Sequence, residues 1–575
     1  MRSGPSPGSG DRQRDVRPVG ETALLVQCRD LEEVVRLSAA LTADPPAGVL
    51  DVVAAARTVL VRCVGPAATR AVRPVLAALP APAVVAGATR TVTVEVVYDG
   101  ADLGVVGDLT GASVEAVVAA HTGQTWTAAF TGFSPGFAYL TGENTTLHLP
   151  RRTTPRTGVP AGSVAVGGGF SGIYPRSSPS GWHQLGRTGA PLWQLDREPP
   201  ALVRTGDRVR FTAVREVVDV STTAPAAGTG APSSPAPHSG GHGALTVLEP
   251  GPLSLVQDLG RQGRLALGVS RSGALDRAAA VRANRLVGND RGAAVVETVL
   301  GGLRLQANGP QVIAVTGAPA PVTVHAADGT PVLACDTDRP LALEDGQELR
   351  LTAPAEGLRS YVAVRGGFAV REVLGSRSTD VLSGLGPPPL RKGTVLPVSR
   401  PAPGAACAAP DPHRSPPAGP LVVSLVPGPR ADWFTDDSLH RLGTQDWTVT
   451  DASNRVGLRL GGHALDRQRP GELPSEGTVA GAVEVPPSGL PVVFLADHPV
   501  TGGYPVVGVV REDDLDRLAQ ARPGDVIRFA LLPADGDSRA GGSSEENTLR
   551  APAQQPATHT DPVNDPSGGA ACTPS

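Results

Sequence analysis

Val203-Arg-Thr-Gly-Asp-Arg-Val-Arg-Phe211 and Ala521-Arg-Pro-Gly-Asp-Val-Ile-Arg-Phe529 are two versions of one phrase. Each sets a Gly-Asp turn before a β-prone run that ends on Phe. Upstream, Ala161-Gly-Ser-Val-Ala-Val166 matches Ala480-Gly-Ala-Val-Glu-Val485, and the spacing from each Ala to the Gly before Asp agrees to within one residue. Between them lie Ser180-Gly181-Trp182 and Gly502-Gly503-Tyr504. A weaker echo of the closing run is Glu344-Asp345-Gly346-Gln347-Glu348-Leu349-Arg350-Leu351. Matched flanks at matched spacing mark a duplicated unit, and short strands closed by Gly turns predict a β-barrel used two or three times.

The rest of the chain fits around that unit. At about 100–200 residues per domain, 575 residues allow three to five domains. Gly 70 and Pro 57 favour turns over long helices, and with aromatics at 3% the cores must be aliphatic. Residues 1–16 are polar and are expected to be disordered. Residues 17–85 read as a small α+β unit, with strands at Glu21–Val26 and Thr58–Val64 and helical periodicity at Leu31–Leu41 and Ala67–Leu79. A barrel is expected over 86–220, with one helix from Ser113, its N-cap, to His121. A Pro/Ala/Ser/Gly linker covers 221–243, a second barrel 244–399, another linker 400–419, a third barrel 420–535, and a disordered tail 536–575. The fold class is mainly β, in tandem barrels, with a small α+β N-terminal unit.

Several functions are excluded. A formal net charge of −4 gives no nucleic-acid surface. No apolar leader opens the chain and no run of about 18 apolar residues occurs, so neither a signal peptide nor a membrane span is expected and a cytoplasmic protein is. The single lysine, Lys392, lies in Leu390-Arg391-Lys392-Gly393, which fits neither a phosphate loop nor a biotin acceptor. The five cysteines are too scattered for a disulfide framework or a zinc site, and no His pair has metal-ligand spacing.

Two motif matches mislead. Gly132-Phe-Ser-Pro-Gly136 has the spacing of a nucleophile elbow, but Pro135 lacks the N–H that would serve the oxyanion. Gly167-Gly-Gly-Phe-Ser-Gly172 contains GxGxxG, but Pro175 follows too soon for the helix that a dinucleotide needs.

Chemistry-bearing residues gather in loops with glycine, where a backbone can approach a ligand closely. In the first half these are Phe130 to Tyr139, including Pro135 and Gly136; Thr153 to Ser163, including Arg156; and Gly172 to His183, including Tyr174 and Trp182. In the second half they are Gln257 with Asp258 and Arg261; Ser272 and Asp276; and Asn284 with Arg285. Farther on come Asn454 and Arg455; Glu472 to Gly477; Asp497 and His498; and Tyr504. Arg, Glu, Asp and His among glycines suit an anionic, amide-bearing ligand, because arginine can grip a carboxylate or phosphate with two parallel bonds.

Phe133-Ser-Pro-Gly-Phe-Ala-Tyr-Leu, Thr154-Pro-Arg-Thr-Gly-Val-Pro-Ala-Gly-Ser-Val and Gly172-Ile-Tyr-Pro with Ser180-Gly-Trp resemble allophanate hydrolase subunit 1, the carboxyltransferase C/D family. That family includes the 5-oxoprolinase B subunit and KipI. Val256-Gln-Asp-Leu-Gly-Arg, Ser272-Gly-Ala-Leu-Asp, Ala283-Asn-Arg-Leu-Val-Gly-Asn and Glu472-Leu-Pro-Ser-Glu-Gly resemble subunit 2, the A/B family, with the 5-oxoprolinase C subunit and KipA. The resemblance covers about 20–220 and 244–530. It implies cyclophilin-like barrels and a fused B–C component of an ATP-dependent 5-oxoprolinase. It also implies a LamB/YcsF-type A subunit as partner and ATP with Mg2+ as co-substrate, the product being L-glutamate.

On that footing Arg455 and Arg365 are expected to hold carboxylate or phosphate. Glu476, or Asp497 with His498, is expected to move protons. Pro135, Gly136, Arg156, Ser163, Tyr174, Trp182, Gln257, Ser272, Asp276, Asn284 and Tyr504 are expected to bind substrate or nucleotide. The chain departs from the A/B pattern at Asn454-Arg-Val-Gly457, where Asp-Arg-Met-Gly is usual, and at His498, where the family carries Arg. Two other functions share these domains: the carboxyltransferase part of a urea carboxylase with biotin carried in trans, and a regulator of a sensor kinase.

Overall fold

The computed structural model describes residues 13–80, 90–152, 154, 156–216, 243–399, 402–407, 419–471 and 473–533. The expected linker 221–243, apart from Gly243, and the expected tail lie outside these residues, as does Glu472.

The N-terminal unit is an antiparallel sheet of four strands covered by helices Leu31–Ala43 and Pro66–Ala78. Asp30 caps the first helix, its carboxylate accepting from the Glu33 amide at 2.8 Å. Strands Val16–Val19 and Val49–Ala54 were not expected from the sequence. Arg17 and Pro18 hide the first, and Asp51 breaks the apolar run of the second. The expectation of disorder to residue 16 is corrected: Val16 is in a strand, and Arg14 pairs with Glu33 of the first helix.

The two repeated phrases occupy the same place in two barrels. Arg208–Ala213 runs parallel to Thr91–Val96 and antiparallel to Trp126–Thr131. Val526–Leu531 runs parallel to Leu421–Pro427 and antiparallel to Trp447–Val449. The matched Ala-Gly phrases open strands Ser163–Gly167 and Ala482–Glu484. Strand for strand, the cyclic order of the two sheets is the same. The last barrel closes through Leu421–Pro427 on Val506–Val510. The first closes through a single bridge at the equivalent place, where Val97 and Arg187 exchange both backbone hydrogen bonds at 2.9 Å.

Equivalence extends to a pair the sequence comparison did not single out. Trp126 and Trp447 are both buried, and each indole N–H donates to the carbonyl five residues back, His121 at 2.9 Å and Leu442 at 3.1 Å. Each tryptophan thus ties the end of the preceding helix to its barrel core, giving the buried N–H the acceptor it requires. In the first barrel that helix is Val114–Thr122, capped by Ser113 as expected, with an unforeseen helix, Leu103–Thr110, before it.

The region between differs. Two sheets face one another, one of six strands and one of five, over an aliphatic core. The echo at Glu348–Leu351 is antiparallel to both neighbours, so it lacks the parallel partner that closes the barrels. Helix Arg277–Leu286 packs on the five-stranded sheet and also was not foreseen. Part of the second expected linker is anchored, with the Cys407 amide donating to Leu286 at 2.9 Å.

Gly167–Gly172 is a hairpin turn. Gly168 and Gly169 have φ of +59° and +83° between antiparallel strands, a geometry that only glycine adopts freely. Among the described residues no single helix is long and apolar enough to cross a membrane.

Candidate functional site

The loops quoted from the two halves of the sequence meet at one seam. A Cβ on Gly132 would lie 2.4 Å from Thr501, and one on Gly268 would lie 2.8 Å from the Ser134 carbonyl. A Cβ on Gly477 would lie 2.5 Å from Leu60 of the N-terminal sheet. Close approach requires glycine at Gly132 and Gly477, and at Gly268 a left-handed φ of +74° requires it as well. Thr131 donates to the Ala266 carbonyl at 2.6 Å, and the Ala56 amide donates to Ser475 at 3.0 Å. An apolar cluster crosses the same seam, joining Leu25, Val53 and Leu60 to Leu265, Phe494 and Val500.

Arg455 and Asp497 lie beneath the seam, fully buried. The guanidinium grips Asp497 with two bonds, 3.0 and 3.1 Å, pairs with Glu297, and donates to the Gly273 carbonyl at 2.6 Å. Burial opposes the Arg455 charge, but Asp497 and Glu297 outweigh it and hold the group above its ordinary value. Ser272 adds a hydroxyl to Asp497 at 2.6 Å from a left-handed backbone, φ +54°. This network joins the middle region to the last barrel.

Glu476 is also buried and is held by both arms of Arg430, one contact being 2.9 Å. It pairs with Gly502 across a two-stranded ribbon. His498 stacks on Phe494 with ring centroids 5.8 Å apart. Its Nδ1 faces the Pro499 carbonyl at 2.8 Å, which fixes the neutral ring with its proton on Nδ1 and leaves Nε2 as the acceptor. Burial pushes the imidazole down to about 4, so it is neutral at neutral pH.

A carboxyl that was not singled out in the sequence stands beside these residues. Glu484 is buried, and its Oε1 accepts from the Tyr504 amide at 3.2 Å. Among the described residues no cation lies within ion-pair distance of it. Burial pushes it up to about 7. A Cβ on Gly502 would come within 2.5 Å of Oε1, so the glycine loop closes over the carboxyl.

His498 also lines a cleft that Arg62, Arg271 and Arg277 share. Burial, and then its neighbours Arg277 and Arg62, push Arg271 down to about 10. Burial also lowers Arg62. A groove of about 590 Å³ continues along the same wall past Arg282 and Asp516.

The remaining expected residues have identifiable partners. Tyr174 and Trp182 lie in an aromatic cluster with Phe137, both bonded to the Ser180 hydroxyl. Burial raises Tyr174 above its ordinary value. Arg156 and Arg152 share the buried carboxylate of Asp102. Ser163 begins a barrel strand. Gly136 has φ +84° after Pro135, packed on Leu192 and Trp193, while the Ser134 hydroxyl is buried with no hydrogen-bond partner. Gln257 donates to Thr379 at 2.9 Å. Asp276 caps the helix at Arg277 and accepts from Gln520 at 2.7 Å, and burial raises it to about 6. Asn284 donates to Ala293 at 2.8 Å, and Arg365 donates to Val287 at 2.8 Å. The last four groups tie the middle region's loops and helix together, and Asp276 also reaches the last barrel through Gln520.

The fold and seam define a class: a mainly β protein in which two halves, each with its own barrel, meet at one seam lined by polar residues. Residues 14–203 match the carboxyltransferase domain, subdomain C and D, and residues 267–531 match subdomain A and B, so the chain belongs to the carboxyltransferase-domain family, with both parts fused. It is 35% identical over 292 residues to the 5-oxoprolinase C subunit from Escherichia coli strain K12, covering 50% of this chain and 90% of that one. It is 44% identical over 133 residues to the 5-oxoprolinase B subunit from E. coli O157:H7, covering 23% of this chain and 61% of that one. The crystal structure of TTHA0988 superposes with a TM-score of 0.74 at 34% identity, over 90% of this chain and 100% of that chain.

Proposed function

We propose that the chain is the fused B–C component of an ATP-dependent 5-oxoprolinase, hydrolysing 5-oxo-L-proline to L-glutamate with a LamB/YcsF-type partner. The observation that carries this reading is the meeting of the B-like and C-like loops at one seam, in a chain similar to both proteins. A planar lactam resists water because its nitrogen lone pair is delocalised. Transfer of the γ-phosphoryl group of ATP, entering with Mg2+, to the lactam oxygen breaks that resonance and makes a leaving group. Water then adds to the carbon, the ring C–N bond breaks, and the nitrogen takes a proton. A further hydrolysis of the acyl phosphate releases phosphate and glutamate.

In this reading Glu484 carries the proton, since a carboxyl near 7 serves as base and acid at neutral pH. Glu476, paired with Arg430, holds the ribbon at the seam. His498 offers Nε2 to orient water. The test mixes the purified chain with a LamB/YcsF-type protein, ATP, magnesium and 5-oxoproline. Glutamate release that needs every component supports the reading, and none from a verified folded complex sinks it.

A second reading has one observation in its favour. The chain is 31% identical over 316 residues to the urea amidolyase of Lachancea kluyveri, though that covers only 17% of the relative. Carboxyl transfer from a separate carboxybiotin carrier would favour it.

A further inference from the structure

Arg62, Arg271 and Arg277 come from three different elements: strand Thr58–Cys63 of the N-terminal unit, the loop before the helix, and the first turn of helix Arg277–Leu286. Their side chains are only 17%, 18% and 21% exposed. Three largely desolvated cations in one cleft demand negative charge. Among the described residues their counter-charges are few, and Asp516, beside Arg277, is taken up by the backbone amides of Arg277 and Ala278 at 2.8 and 3.2 Å. Glu512 Oε1 lies 2.8 Å from Arg277 and 3.8 Å from Arg271, and it serves both. Asp51 is 4.0 Å from Arg62, and its Oδ2 is buried without a hydrogen bond. Glu21, which also lines the cleft, pairs with Arg511 at 3.3 Å. Glu512 itself is half exposed, so it is a loosely held counter-ion that can swing out into water.

We propose that this cleft is a phosphoanion site, taking the polyphosphate of a nucleotide, and that Glu512 fills it when no nucleotide is bound. Three guanidinium forks converging from three sides suit a tetrahedral group better than a planar carboxylate. The adjoining groove, about 590 Å³, has room for a nucleoside; Leu259, Leu275, Val281 and Leu495 form its apolar wall, and arginines with Asp513 and Asp516 its polar one. Arginine forks here stand in for the phosphate lysine that the sequence lacks. His498 borders the same cleft, so a phosphoryl group held there would lie beside the seam.

The site is tested on the full chain alone, without partner or lactam, so its failure and that of the lactam reading are told apart. Binding of ADP, ATP and inorganic phosphate is measured by calorimetry at low salt, with 5-oxoproline as the carboxylate control. Wild type should bind the nucleotides, and Glu512→Gln should bind them several-fold more tightly. Arg277→Gln should weaken them about tenfold or more, as loss of a charge-assisted bond does. Arg271→Gln should do the same, and Arg277→Gln, at the rim, guards against a folding defect, checked by thermal melting. Binding seen only once Glu512 is neutralised also supports the proposal. Nucleotide binding by none of these proteins overturns it. So does binding that ignores both arginine variants, or arginine-dependent binding of 5-oxoproline alone.

Discussion

Arg455 is 3% exposed and answers two carboxylates, Asp497 and Glu297. Removing it strands both charges in the interior, so Arg455→Ala should cost about 3–5 kcal/mol of stability, read as a lower urea midpoint. An unshifted midpoint would show that water reaches the network. His498 and Glu484 make opposite pH predictions. His498 has a folded value of about 4 against an ordinary 6.5, so between those pH values the unfolded chain takes up a proton that the folded one refuses. Its contribution is complete above pH 6.5 and is lost as pH falls toward 4; His498→Asn should remove that slope. Glu484 is about 7 folded against 4.5 ordinarily, so the folded chain keeps a proton that the unfolded one releases. Stability from it is present below 4.5 and is lost as pH rises through 7. Glu484→Gln should flatten that loss, and if the reaction reading holds it should lower kcat more than it raises KM.

The closing strands behave as one element used twice. Gly206 and Gly524, which precede them, have φ of +90° and +92°, and neither has an atom near enough to meet an added Cβ. An alanine there meets backbone strain and nothing else. Gly206→Ala and Gly524→Ala should therefore cost about the same, roughly 1–2 kcal/mol each. Unequal losses in urea unfolding would mean that the two turns are not equivalent in energy. The duplication was legible because both turns need glycine and both strands alternate. Helix Arg277–Leu286 was not legible, because its Arg282-Ala-Asn-Arg285 stretch carries the polar residues of a loop and its apolar face is mostly small alanines, buried on the sheet. The echo at Glu348 kept the turn residues but lost the parallel partner, which sequence around the turn does not encode.

At the scale of the molecule, the apolar cluster from Leu25 and Leu60 to Leu265 and Phe494 makes the two halves one body. Co-expressed as separate chains, residues 13–216 and 243–533 should co-purify. Gly477→Val, driving a side chain into Leu60, should separate them while the circular dichroism of each half persists. Halves that separate without the substitution would show that the join in the chain, not the seam, holds them.

The sequence alone determined the duplicated barrel, the cap at Ser113, the lack of a lysine-based phosphate loop, and the family to which both halves belong. Those properties live in local pattern: turn glycines, alternation and contiguous motifs. Tertiary structure alone decided which charged residues are paired and which are not. Arg455 and Glu476 carry full counter-charges, whereas Arg271 and Arg277 share one loosely held carboxylate and Arg62 has only the more distant Asp51. Charge balance is a sum over neighbours in space: those three arginines meet only when the N-terminal sheet packs on the middle region, and their shared Glu512 arrives from the last barrel.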